Sequence, residues 1–202
     1  MDGSGENKGW NGQGWGQPMN GLNGGTFLPV SLWTPAQVAL NQQLRALWEQ
    51  HIFWTRLTVN SIAGRLPDEA PTTARLLENA ADFGRVFAAY YGPVVAGRFA
   101  ELLRGHLTIA AELVAALRDG RTEAARDAER RWYRNAEDIA AFLARINPFW
   151  SRVWWRSMLF EHLRLLTEEV STRIAGDYER NVATNRRVEQ QALEMADAMS
   201  AG

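Results

Sequence analysis

From Thr34 onward, apolar residues recur every three or four positions, and Gly or Pro interrupts that rhythm only at short intervals. This 3.6-residue period, with no stretch of period-2 alternation beside it, commits the chain to helices that each bury one stripe. Thr34 is a suitable N-cap and Pro35 fits a first helical position. Leu44, Leu47, Trp48, His51, Thr55, Thr58 and Ile62 carry the first stripe, which Gly64 and Pro67 end. Further helices are expected over 71–91, closed by Gly92-Pro93, over 93–118, turned by Asp119-Gly120, and over 122–146, stopped by Asn147-Pro148. A last one runs from about residue 150 to 200 and weakens near Gly176. Long amphipathic helices joined by short turns predict an all-α, antiparallel up-and-down bundle, four long helices with one shorter, over residues 28–202.

Residues 1–27 are different. They hold nine of the 17 glycines, with Trp10 and Trp15 set among Gly, Asn and Gln. Such a segment buries too little apolar surface to offset its chain entropy, so a disordered tail is expected. Its Gly12, Gly14, Gly16 pattern follows no strand and opens no helix directly after it, which makes the phosphate-loop reading a weak one.

Composition narrows the chemistry. There is no cysteine, hence no disulfide, thiolate ligand or cysteine nucleophile. Lys8 is the sole lysine among 22 basic residues, so the bundle has no lysine for a P-loop or a Schiff base. A net charge of −1 predicts no nucleic-acid partner. No apolar run is long enough to span a membrane, and the N-terminus lacks the basic and apolar regions of a signal peptide, so a cytoplasmic protein is expected.

What remains is three histidines. His51, His106 and His162 fall on the apolar stripes of three different predicted helices, and a buried imidazole without a partner costs about 1–3 kcal/mol. Two of them share a local context. His106-Leu107 is followed by Glu112 and Gly120, and His162-Leu163 by Glu168 and Gly176, at the same offsets; His51-Ile52 has Gly64 one place earlier and no acid. Bundles build metal sites from inward Glu and His on different helices. The candidate ligands are His51, His106 and His162 with Glu169, Glu112 and Glu49, a set suited to Fe, Mn or Zn. The Glu-x-x-His pairs of di-iron bundles are absent. Arg56, Thr55 and Asn135 also sit on or beside inner stripes and form the candidate supporting polar network. The alternative is three separate core histidines, each hydrogen-bonded to its own neighbour.

Several segments together resemble a family of small helical proteins of spore-forming Bacilli and Clostridia: Trp48-Glu-Gln-His-Ile-Phe-Trp-Thr-Arg56, Leu66-Pro-Asp68, Tyr90-Tyr-Gly92, His106 to Leu113, Arg131-Trp-Tyr-Arg-Asn-Ala136, Ile146-Asn-Pro-Phe-Trp150 and His162 to Glu169. The resemblance covers about residues 40–200. Members of that family often carry the label acetylglutamate kinase. Kinases of that kind are α/β proteins that hold ATP on glycine-rich loops and lysines, so this chain is expected to bind no nucleotide. The resemblance implies a helical fold, a spore association, and a shared motif that includes His51, Arg56, His106, Asn135, His162 and Glu169. The segment His51 to Arg56 is more distantly similar to ferritin-like metal-binding bundles. Two functions follow as expectations: metal binding in the bundle core for storage, sensing or redox work, or a non-catalytic structural protein that self-associates through the Gly/Trp tail.

Overall fold

The computed structural model describes residues 33–202, so the expected tail lies outside the described residues. Among the described residues there are five helical runs and no strand. The first, α1, is Pro35–Gly64. Thr34 and Gln37 cap it reciprocally: Thr34 Oγ1 accepts from the Gln37 amide at 3.2 Å, and Gln37 Oε1 accepts from the Thr34 amide at 2.9 Å.

The second run, Glu69–Arg118, is two helices. Gly92 leaves helical geometry at φ 76°, ψ 168°, and Pro93 follows it. Phe87 and Phe99 then stack with ring centroids 4.1 Å apart, whereas twelve residues of unbroken helix would separate them by roughly 18 Å. The chain therefore folds back here into α2 (69–91) and α3 (93–118), as Gly92-Pro93 predicts. After them come α4 (Thr122–Ile146), α5 (Arg152–Ala175) and α6 (Tyr178–Ala201). The break at Gly176 is deeper than the sequence suggests. Gly176 takes φ 77°, the chain reverses, and what reads as one long last helix is the antiparallel pair α5/α6. Contacts such as Arg180–Glu168 and Asn181–Glu169 close that hairpin.

The six helices form three hairpins, α1/α2, α3/α4 and α5/α6, that repeat one design. Each first helix ends in the same double bond pattern. The amides of Leu66, Arg121 and Asp177 donate to the carbonyls of Ser61, Ala116 and Thr172, all at 2.9 Å, and those of Arg65, Gly120 and Gly176 donate to Ile62, Leu117 and Arg173. This is the Schellman closure, which requires a left-handed residue; Arg65, Gly120 and Gly176 supply it at φ 51°, 66° and 77°. Helix α6 packs back on α1 and closes the bundle. Val59, Val114 and Val170, each eight residues after a histidine, meet with Ile62 in one cluster. The first helices of the three hairpins thus converge on a common axis.

Candidate metal centre

Each histidine is held by the second helix of its own hairpin, and always in the same way. His51 Nδ1 lies 3.0 Å from Asn79 Oδ1, His106 Nδ1 lies 2.7 Å from Asn135 Oδ1, and His162 Nδ1 lies 2.8 Å from Gln191 Oε1. The amide nitrogens of these residues donate to the carbonyls of Leu47 (3.2 Å), Leu102 (3.1 Å) and Met158 (2.5 Å), four residues before the histidine in every case. That second contact fixes the amide: its NH2 faces a carbonyl, so its oxygen faces the imidazole. An amide oxygen only accepts. Each Nδ1 must therefore carry the proton, which leaves Nε2 as a bare acceptor on all three rings.

The three rings line one cavity of about 20 Å³, room for a single water-sized occupant. Trp48, Leu103 and Leu159, each three residues before a histidine, line it too, and Phe99, Ile139, Leu143, Trp155 and Met199 complete the wall. The rings of His51 and His162 have centroids 6.1 Å apart. Among the described residues no Asp or Glu lines this cavity. Among the described residues the hydrogen bonds of all three rings are made at Nδ1, and the Nε2 of His162 is fully buried with no partner. Burial disfavours the imidazolium and pushes the pKa values of His51 and His106 down to about 4 and that of His162 to about 3, against partial compensation from the amide bonds. The rings are neutral at pH 7. As placed, no three His, Asp or Glu side chains among the described residues are close enough together to hold a metal.

The predicted carboxylates lie elsewhere. Glu169, buried on α5, is paired with Arg56 at 2.8 Å, and Arg56 also reaches Asn181 Oδ1 at 3.3 Å. Burial raises the Glu169 pKa, and Arg56 opposes the rise. Glu112 is on the surface, bound to Arg131 at 2.7 Å across the α3/α4 hairpin; Glu168 and Arg187 hold the equivalent places in α5/α6, at 3.6 Å. The shared acid six residues after His106 and His162 is thus a hairpin clasp. Glu49 is exposed on α1. Thr55 lines a second cavity of about 20 Å³, one turn along the axis from the histidines, and its buried hydroxyl has no partner among the described residues.

Of the polar residues singled out in the sequence, Asn135 belongs to the histidine constellation and Arg56 does not. Asn79 and Gln191 escaped the sequence reading. The signal was present: each follows its histidine by 28 or 29 residues, the same interval as Asn135 from His106. Comparison with protein-family models, curated proteins and solved structures finds no match to this chain.

Proposed function

We propose that the protein binds one transition-metal ion through Nε2 of His51, His106 and His162. The observation that carries this reading is the threefold amide clamp, which leaves Nε2 a bare acceptor on each of three rings that line one small cavity. One water donates two hydrogens and cannot satisfy three acceptors, whereas one cation serves all three. The clamp is also the arrangement that metal-ligating histidines use, with the distal ring N–H donated to a carbonyl-type oxygen that orients the ring. Two imidazoles on a tetrahedral ion with metal–nitrogen bonds of about 2.1 Å have ring centres roughly 5 Å apart. The 6.1 Å between His51 and His162 is wider than that, and no three ligands among the described residues yet stand close enough together, so all three rings, His106 included, must move inward on loading. Among Fe, Mn and Zn, a set of imidazoles without carboxylate suits Zn best.

The test is metal content of untagged full-length protein after exposure to Fe, Mn, Zn or, anaerobically, copper(I), and desalting. About one equivalent per chain is expected, lost in His106→Gln and in His162→Gln while the helical circular dichroism persists. Wild type that retains no stoichiometric metal, and whose Tm chelators leave unchanged, overturns the reading.

A further inference from the structure

We infer that the ion this site selects is copper(I), with the Met199 thioether as fourth ligand and as the group that passes it inward. The inference rests on the reading of the three histidines as ligands.

The charge of the site argues first. Its imidazoles are neutral, no carboxylate of the described residues lines the cavity, and the buried carboxylate on α5, Glu169, is already committed to Arg56. The cost of burying an ion grows with the square of its charge, and nothing in this wall of Trp48, Phe99, Leu143 and Trp155 offsets a second positive charge. A divalent ion would have to bring an anion into a space of about 20 Å³. A monovalent ion would not.

The donors argue second. Imidazole and thioether together favour copper(I), a soft ion. Among the described residues Met199 is the one sulfur on the cavity wall. Its counterparts in the other two hairpins, 56 and 112 residues earlier, are Leu143 and Phe87, so the repeat as such does not call for a sulfur there.

Access argues third. At the end of the bundle, Leu44, Phe87, Tyr91 and Trp150 line an open pocket of about 250 Å³. Met199 lines that pocket as well as the histidine cavity, the one residue common to both. An ion that enters from this pocket passes Met199 on its way to the imidazoles.

The experiment titrates full-length protein anaerobically with copper(I) against a chromophoric copper(I) chelator, and in parallel with zinc(II) against a zinc(II) chelator. One copper(I) per chain is expected, at least about 100-fold tighter than zinc(II). Met199→Leu should weaken copper(I) about tenfold or more, leave zinc(II) unchanged, and remove the sulfur shell from the copper X-ray absorption spectrum. Stoichiometric zinc(II) with copper(I) no tighter overturns the copper inference and leaves the histidine site standing. Tight copper(I) that Met199→Leu does not weaken overturns the role of Met199. Binding of neither ion overturns this inference and the histidine site together.

Discussion

Asn135 grips helix α3 twice: its Oδ1 accepts from His106 Nδ1 at 2.7 Å, and its Nδ2 donates to the Leu102 carbonyl at 3.1 Å. One side chain therefore sets both the register of a hairpin and the tautomer of a buried imidazole. Asn135→Ala strands an N–H that has no other partner in the core, and should lower stability by about 1–3 kcal/mol in urea unfolding. If His106 is a ligand, the same variant should also weaken metal binding by about 10–100-fold, because the freed ring can turn. Asn135→Gln, which carries the amide that the third hairpin uses at Gln191, should recover part of both losses.

The low histidine pKa values make stability depend on pH in a definite direction. In the unfolded chain these rings titrate near 6.5, while in the folded protein they resist protonation down to about 4, 4 and 3. Between those limits the unfolded state holds more protons than the native state, so stability is complete above about pH 6.5 and falls as pH drops toward 4. Each histidine contributes up to about 1.4 kcal/mol per pH unit. Urea midpoints measured from pH 8 to pH 4 should be flat above neutrality and then fall steeply. His162→Gln should shallow that fall by about one proton; an unaltered slope would mean that His162 does not stay neutral in the fold.

How much of this was legible in the sequence follows from what each signal measures. Apolar spacing reports which residues face inward, so the helices and the three buried histidines were readable. Gly92-Pro93 punctuates strongly and marked the α2/α3 reversal. Gly176 alone was weaker, since an isolated glycine in a helical pattern only lowers helix propensity, and the α5/α6 reversal appears in the fold as a full Schellman turn. Glu169 was on the right face of α5 for an inward group, but periodicity does not tell which neighbour an inward charge meets; Arg56 on α1 meets it. The Asn79, Asn135 and Gln191 clamps lie on partner helices, about 28–29 residues from their histidines, beyond the reach of any local motif.

The Arg56–Glu169 pair should behave as a structural unit. Arg56→Met leaves Glu169, 2% exposed, as an uncompensated buried charge and should cost about 3 kcal/mol at pH 7. Replacing both, as Arg56→Met with Glu169→Leu, should recover most of that, because the desolvation cost of both charges disappears. Glu169 lines no part of the histidine cavity, so metal stoichiometry of the double variant should match wild type. Loss of metal with an intact fold would make Glu169 a ligand after all.

The three hairpin turns supply a last pair of predictions with opposite signs. Gly120 and Gly176 occupy left-handed positions where Arg65 occupies the third, and only Arg65 carries a Cβ there. A left-handed backbone costs an L-residue about 1–2 kcal/mol relative to its ordinary regions. Gly176→Ala should therefore destabilise the protein by about 1 kcal/mol although nothing crowds the new Cβ within 4 Å, so that the effect is purely conformational. Arg65→Gly removes the same strain and gives up an ion pair to Asp119 from a side chain that is 65% exposed, an interaction worth a few tenths of a kcal/mol in water. The gain in native-state strain is partly offset by the greater freedom of glycine in the unfolded chain. Arg65→Gly should raise the urea midpoint, by up to about 1 kcal/mol in stability, while Gly176→Ala lowers it. Equal effects of one sign would show that the three turns, despite their shared hydrogen bonds, are not energetically equivalent.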